Sequence, residues 1–319
     1  MEHNNTTVSF SICISVLLLT NCFLSSSIAE PPITALVFSS DTKWLLASSQ
    51  RGIAVFSWPD LKQSRIVDCG LDSIHAMAMS KDGRRLYVGG GKPGECGVVQ
   101  QRDWPALDLK KTWTDHLDVV YAIAMSEYSQ EWCSASWSGD CKVYTLDATA
   151  NHAVVNDHSA PLFAATFVSN HHLATSGADR TIVVSNVRTG KSSLVLKQHT
   201  KSIHALAYQF PIRKGQAPLL ASASEDRTVR FWHAEIGRLV RFHRFESIPR
   251  TIAWSKNGDQ LIVGCDDGSV WQLNHVSLDA TVLATQPFGV QNLLVDSNND
   301  DIVLSGGDNL VVIKRSDRN

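Results

Sequence analysis

A short apolar pattern recurs seven times along this chain at nearly constant spacing. Each copy has an apolar residue, a variable one, a small one and three mostly apolar ones, followed by a polar turn. The copies begin at Ile33, Ile74, Val120, Leu162, Ile203, Pro249 and Val290, so they lie 41 to 46 residues apart. The two longest spacings, each of 46 residues, contain insertions, which are GGGKPGECG at 89–97 and PIRKGQAP at 211–218. A period of this length predicts one supersecondary unit per copy.

Each copy continues with the same order of short apolar segments. A polar turn leads to a second strand, such as LLASAS at 219–224, and a tight turn leads to a third, such as TVRFWH at 228–233. A fourth strand often precedes the next copy, as in SSLVLK at 192–197. Helical periodicity is absent. Four short strands per copy predict an all-β, seven-bladed β-propeller of four-stranded antiparallel blades, because stacked blades bury one another's faces.

The last copy is too short for a complete blade. After its third strand only residues 315–319 remain, and Phe23–Ile28 is the one segment before the first copy that could supply a fourth strand. Cleavage of the chain at Ala29 would remove that segment, whereas processing at Cys22 would keep it. We therefore expect a three-stranded seventh blade with an unpaired edge, which is a liability for association.

The fifth copy carries the most specific motif, with His199 before the first strand and LASASEDRTVRFWH at 220–233. On these residues the chain resembles the WD-repeat β-propeller family over about residues 32–315. The resemblance implies that four side chains form that family's buried hydrogen-bond tetrad, namely His199, Ser222, Asp226 and Trp232. Three of them have the residue types of a hydrolytic triad, but no G-x-S-x-G motif accompanies them. We therefore interpret them as structural.

The third and fourth copies match this motif incompletely. The fourth keeps His158, Thr175 and Asp179 and has Ser185 at the Trp position. The third keeps His116 and Ser134, with Ser138 at the Asp position and Tyr144 at the Trp position.

The second residue of each first strand is bulky or polar where the next is small. In relatives this position and the one two residues before it surround the channel mouth on the face that binds partners. Here the resemblance assigns to that face the residues His75, Val119, Tyr121, Pro161, Phe163, His204 and Arg250. Aromatic residues and Arg commonly carry binding energy at interfaces. The competing interpretation is ordinary packing between blades.

Residues 8–24 form the one long apolar run, and Ser27-Ile28-Ala29 fits a small-x-small cleavage site. These features predict a signal peptide over residues 1–29 and a single propeller domain over 30–319, in an extracytoplasmic (periplasmic or secreted) protein. Residues 1–7 contain no Lys or Arg, which is unusual for such a segment. An uncleaved or lipid-linked membrane anchor and a cytoplasmic protein remain as alternatives.

Charge and composition exclude some functions. Lys and Arg number 29 against 31 Asp and Glu, so there is no strong positive field for nucleic acid. The Asp296–Asp300 segment has D-x-N-x-D calcium-loop spacing, but Asp301 replaces the required Gly. We therefore predict no metal, cofactor or catalytic residue. Disulfide pairing stays open for the five cysteines beyond Ala29, which are Cys69, Cys96, Cys133, Cys141 and Cys265.

These observations favour a non-catalytic, monomeric scaffold that binds a protein or peptide at the channel mouth, without nucleic acid, and contacts a membrane only through an N-terminal anchor if it has one. Two alternatives remain. One is a propeller enzyme, such as a lactonase-like hydrolase or a quinone-dependent oxidoreductase, although neither mouth position contains Asp or Glu in any copy. The other is a propeller subunit of a larger complex that holds the chemistry elsewhere.

Overall fold

The computed structural model describes residues 30–209 and 217–315, and every regular element in these ranges is a β-strand. The 27 strands form seven antiparallel sheets, which we call blades 1 to 7 in chain order. Blades 1 to 4 contain β1 (Ala35–Phe38), β2 (Trp44–Ser49), β3 (Gly52–Ser57), β4 (Gln63–Val67); β5 (Ile74–Met79), β6 (Arg85–Lys92), β7 (Cys96–Asp103), β8 (Leu109–His116); β9 (Val120–Met125), β10 (Glu131–Ser136), β11 (Cys141–Thr145), β12 (Ala153–Val155); β13 (Leu162–Phe167), β14 (His172–Gly177), β15 (Ile182–Asn186) and β16 (Ser192–Leu196).

Blades 5 to 7 contain β17 (Ile203–Tyr208), β18 (Leu220–Ser224), β19 (Thr228–His233), β20 (Arg238–Arg244); β21 (Pro249–Trp254), β22 (Gln260–Cys265), β23 (Ser269–Asn274), β24 (Ala280–Thr285); β25 (Asn292–Val295), β26 (Ile302–Gly306) and β27 (Asn309–Ile313). Within each blade the strands pair in chain order. The predicted seven-bladed propeller is confirmed, and the seventh blade has three strands within the described residues, as predicted.

The second strand of each blade is the most deeply buried, because neighbouring blades cover both of its faces. Every residue of β18 and β26 is buried. The side chains between adjacent blades form apolar clusters, as where Phe231 of blade 5 packs with Ile252 and Leu261 of blade 6. Burial of each large apolar side chain contributes about 1.5–3 kcal/mol to folding. This explains why these strands are continuously apolar or small.

Contacts between blades 1 and 7 close the ring. The Ile33 amide donates a hydrogen bond to the Gly307 carbonyl at 2.7 Å, and the Trp58 indole donates to Asp296 Oδ2 at 2.7 Å. Leu45 and Val303 belong to one buried cluster that spans the two blades. The described residues therefore close the ring through packed faces, while β27 forms the outer edge of blade 7.

The insertion at 89–97 lengthens one hairpin of blade 2. Strands β6 and β7 pair as far as Gly91 with Gly97 and Lys92 with Cys96. Gly90 of β6 permits the close approach of the chain that enters β5, because a Cβ there would lie 1.8 Å from the Ser73 carbonyl oxygen. The other insertion lies largely outside the described residues.

Two further expectations concern cysteines and membranes. The five cysteines of the described residues are free thiols. Cys133 lies opposite Val143 and Cys141 lies opposite Ala135, so these two cysteines are not direct cross-strand partners.

No helix among the described residues has the length and apolar character needed to cross a membrane. The proposed signal sequence at 1–29 falls outside the described residues.

Candidate binding face

One end of the propeller brings together two positions from each blade, and we call it the upper face. The first position is the second residue of the apolar segment that begins each copy and forms the first, innermost strand of its blade. The second is the residue that directly follows the second strand of a blade. In several blades the amide of this residue donates a hydrogen bond to a carbonyl of the chain just before the first strand. In chain order the residues at this second position are Gln50, Trp137, Ala178, Glu225, Asp266 and Gly307, and in blade 2 the equivalent residue is Gly91, which lies within the lengthened β6 and donates to the Ser73 carbonyl.

Four aromatic or imidazole rings from consecutive blades form a continuous row across the upper face, and we call them the ring row. His75 stacks on Tyr121 with ring centres 4.4 Å apart, and Phe163 stacks on His204 at 5.1 Å. Tyr121 and Phe163 meet edge to face at 6.2 Å. Such pairs contribute about 0.5–1.5 kcal/mol beyond area burial, so the ring row is a rigid element.

Trp137 lies against the middle of the ring row. Its ring centre is 5.1 Å from that of Tyr121 and 5.6 Å from that of Phe163, and the residue remains 42% exposed. Its amide donates to the Val119 carbonyl at 2.9 Å, which fixes the backbone. Trp137 follows the second strand of its blade, so the pattern along the first strands did not predict it.

The other end of the ring row is charged. The Arg250 guanidinium donates from Nε to Asp266 Oδ1 at 2.7 Å, and from Nη1 to Glu225 Oε1 at 3.3 Å. The same Nη1 lies 2.6 Å from Nε2 of His204. Neither carboxylate was predicted, because both come from the position after the second strand. Two carboxylates therefore accept hydrogen bonds from the guanidinium that was predicted to contact a partner, and the His204 imidazole lies against it.

Hydrogen bonding and burial set the charge of this group. The hydrogen bond to Asp266 raises the pKa of Arg250 despite its burial. Burial acts to raise the pKa of Glu225, but His204 and Arg250 together lower it. Burial lowers the pKa of His75 and of His204, so both imidazoles are neutral at neutral pH. At neutral pH the two negative carboxylates of Glu225 and Asp266 therefore face a single positive charge, that of Arg250.

Two predicted residues contribute to the face mainly through their backbone. Val119 is 2% exposed and so lies beneath the face, and Pro161 is half-buried. Their carbonyl oxygens accept the amides of Trp137 and Ala178, respectively, each at 2.9 Å. They therefore position the neighbouring residues by backbone contact.

The central channel holds a cavity of about 190 Å³ next to the ring row. Its lining includes His75, Tyr121, Thr251 and Asn292 together with small and apolar residues. Pockets for drug-sized ligands usually measure about 300–1,000 Å³. The cavity is smaller than that, which directs attention to the surface of the upper face. Among the described residues, no group of three or more His, Cys, Asp or Glu side chains is placed to hold a metal ion.

The four side chains assigned to a tetrad meet inside blade 5. His199 Nδ1 lies 2.8 Å from Asp226 Oδ2, and His199 Nε2 lies 2.7 Å from Ser222 Oγ. The Trp232 indole donates to the same Ser222 oxygen at 2.9 Å. Burial acts to raise the pKa of Asp226, but hydrogen bonds from His199 and Thr228 hold it well below its usual range. Ser222 and Trp232 are fully buried, so substrate cannot reach this serine.

Blades 3 and 4 contain related groups. His158 bonds Thr175 and Asp179, each at 2.8 Å. His116 bonds Ser134 at 2.7 Å, and its carboxylate partner is Asp140 at 3.0 Å. Ser138 was assigned to the Asp position, and its hydroxyl bonds Asp140 rather than the histidine.

The sequence of blades 5 and 6 matches a known repeat. The family profile "WD domain, G-beta repeat" matches residues 190–233 and 239–272. Two repeats of this seven-bladed propeller therefore match the WD40 profile. The WD40 β-propeller domain of Doa1 has the same fold: it superposes on 91% of this chain and 95% of its own length with a TM-score of 0.77, at 19% sequence identity.

Two curated proteins show how far the sequence similarity extends. The periodic tryptophan protein 2 homolog of Dictyostelium discoideum is 29% identical over 208 residues, which are 62% of this chain and 21% of that protein. The guanine nucleotide-binding protein subunit beta of Solanum tuberosum is 25% identical over 228 residues, which are 67% of this chain and 59% of that protein. The matched part of this chain thus spans less than two thirds of either relative.

Proposed function

We propose that this WD40 propeller is a non-catalytic scaffold that holds a protein or peptide partner on its upper face. The observation that carries the proposal is Trp137, a large aromatic side chain that is 42% exposed over the middle of the ring row. Trp is among the residues most enriched where binding energy concentrates. The rigid ring row beneath it lowers the entropic cost of binding, because the contact surface is already ordered.

A second exposed apolar residue supports the same location. Leu117 is 80% exposed and directly follows β8, while Trp137 directly follows β10. The Ser136 hydroxyl donates to the Asp118 carbonyl at 2.7 Å, which ties these two segments of blade 3 together. Exposed apolar groups flanked by polar residues are a feature of protein interaction sites.

The printed names of two relatives also support a binding role. The guanine nucleotide-binding protein subunit beta of Solanum tuberosum and the probable coatomer subunit beta' of Schizosaccharomyces pombe are both named as subunits. The latter is 24% identical over 50% of this chain and 20% of that protein. From these relatives we infer only that this chain also associates with another protein.

The proposal includes a monomeric propeller in an extracytoplasmic setting, and the setting is inferred from residues 8–29 alone. Intact-mass measurement of the protein purified from its host tests the setting. A chain that begins at Glu30 supports export with cleavage, whereas a lipid-bearing chain that begins at Cys22 supports a membrane anchor. A chain that begins at Met1 or Glu2 without modification contradicts cleavage. Light scattering on the same sample measures the oligomeric state.

Affinity capture followed by mass spectrometry tests the binding role. The full chain and its Trp137→Ala variant are immobilised in parallel, with Ile236→Ala as the control. Ile236 is 67% exposed and lies in the turn between β19 and β20, away from the upper face. We expect a protein that the wild type and Ile236→Ala retain and Trp137→Ala loses. Equal retention by all three would show that the upper face is not the binding site.

A further inference from the structure

We propose that the partner places a basic side chain, Lys or Arg, in a notch of the upper face between Trp137 and the two carboxylates of Glu225 and Asp266. This inference rests on the proposed function and adds the chemistry of the bound group. It follows from the shape of the face, from the unused carboxylate oxygens and from the sign of the local charge.

A small residue creates the notch. Along the position that follows each second strand, blade 3 has Trp137, blade 4 has Ala178, and blades 5 and 6 have the two carboxylates. Ala178 carries only a methyl group between Trp137 on one side and Glu225 on the other, so we infer the notch at this point. Phe163 connects the two sides, because its ring contacts both Trp137 and His204, and His204 contacts Glu225. The notch is therefore aromatic at one end and acidic at the other.

Each carboxylate retains an oxygen that has no partner among the described residues. Glu225 Oε1 receives both the His204 and the Arg250 contacts, and Asp266 Oδ1 receives the contact from Arg250 Nε. Glu225 Oε2 and Asp266 Oδ2 have no such contact within the described ranges. Both side chains are about one-third exposed, at 32% and 38%, so an incoming donor can reach them.

The local charge selects against an acidic or neutral group. Arg250 balances only one of the two carboxylates, and the neighbouring imidazoles are neutral because burial lowers the pKa of His75 and His204. A Lys or Arg side chain would lay its apolar stem on the ring of Trp137 and direct its charge towards the free carboxylate oxygens. An incoming carboxylate would meet two like charges, since the one guanidinium nearby is already engaged.

Selection from a phage-displayed library of random peptides tests this inference without a known partner. The library is panned against the full wild-type chain, and the Lys and Arg content of the selected peptides is compared with that of the input. One selected peptide is then synthesised with a fluorescent label, and its affinity is measured for each variant. A copy of that peptide with its basic residues replaced by Gln serves as the ligand control.

Two protein variants probe the notch in different ways. Glu225→Gln/Asp266→Asn removes the charge, and Ala178→Leu fills the space while every charge remains. The matched control is Glu235→Gln/Asp279→Asn, which removes the same residue types from turns at the opposite end of the same two blades. Thermal melting verifies that each variant is folded. If the charge variant is unstable, the affinity of Ala178→Leu alone tests whether the notch binds the basic side chain.

The inference predicts enrichment of Lys and Arg, and a loss of roughly tenfold or more in affinity for either notch variant, because hydrogen bonds to charged groups contribute about 1.5–3 kcal/mol. The control variant should bind as the wild type does. Peptides that require Trp137 but lack basic residues would overturn the inference and leave the proposed function standing. Peptides that bind equally well to Trp137→Ala, or no selected peptide at all, would count against both.

Discussion

The carboxylate of Asp140 lies 3.0 Å from Nδ1 of His116, although it occupies the chain position that holds a hydroxyl in blade 5. Ser134 pairs with Lys142 in blade 3, and Ser222 pairs with Arg230 in blade 5, so Asp140 corresponds to Thr228 and Ser138 to Asp226. In blade 5 Thr228 donates to Asp226, whereas in blade 3 Ser138 donates to Asp140. The two side-chain types have exchanged places, and both blades keep a histidine held by a carboxylate.

Ser222 should stabilise the propeller through its hydrogen bonds rather than through its volume. Ser222→Ala leaves the buried Trp232 indole N–H and His199 Nε2 without their partner, which should lower the free energy of unfolding by about 1–3 kcal/mol. The control is Ser176→Ala, because the buried Ser176 hydroxyl has no partner among the described residues. That change should cost less than about 0.5 kcal/mol in urea unfolding. Equal costs for the two variants would contradict this role.

Trp232 and Trp137 should differ sharply in their effect on stability. Trp232 is fully buried in blade 5, so Trp232→Ala should cost about 3–5 kcal/mol by leaving a cavity and an unpaired serine. Trp137→Ala removes a partly exposed ring and should cost clearly less. Thermal melting of the two variants measures the difference. If Trp137→Ala were as destabilising as Trp232→Ala, Trp137 would be a packing residue and the binding assignment would fail.

Arg102 should be a structural residue although it is charged. It is 6% exposed, and its guanidinium donates to Gln100 Oε1, the Leu107 carbonyl and the Cys69 carbonyl at 2.9–3.2 Å. Arg102→Met removes this donor from all three acceptors, of which the Cys69 carbonyl keeps the Gln100 amide, and should lower the free energy of unfolding by about 2–3 kcal/mol. Arg102→Lys should recover only part of this, because an ammonium cannot reproduce the planar fork.

The exposed Arg188 provides the control for this comparison. Arg188→Met should change the free energy of unfolding by less than about 0.5 kcal/mol. Urea unfolding of the three variants at neutral pH measures the order. If Arg102→Met were as stable as the wild type, the guanidinium would not connect blade 2 to the segment before it.

The stability of the propeller should fall on acidification. Burial is the main cause that lowers the pKa of His75, His199 and His204 below the usual value of 6.5, so the folded chain binds fewer protons than the unfolded chain just below that pH. The stability is therefore complete above about pH 6.5 and decreases as the pH falls through the folded pKa values. Asp226, whose pKa is held below 3.8, adds a further loss at lower pH.

Replacement of His75 isolates one part of this pH dependence. His75→Phe keeps a ring in the ring row but removes one titrating group, so its free energy of unfolding should change less between pH 7.5 and pH 5 than that of the wild type. Urea unfolding at the two pH values provides the comparison. A wild-type protein that becomes more stable at pH 5 would show that the direction of these pKa shifts is wrong.

The sequence alone determined the architecture, because a blade is a local unit whose pattern repeats. The starts at 41- to 46-residue spacing predicted seven blades, and the structure contains seven. The resemblance to WD repeats also named the four side chains that meet around Ser222. The signal sequence over 1–29 stays a prediction.

Tertiary structure decided the composition of the upper face. Trp137 contacts rings from blades 3 and 4, and Arg250 of blade 6 contacts His204 and Glu225 of blade 5. No local period specifies such contacts, because they depend on how each blade rotates against the next and on side chains that follow a different strand. The same packing buried Val119, which the inner-strand pattern had placed at the surface. The repeat fixes the ring of blades, whereas the contacts between blades fix the chemistry at its mouth.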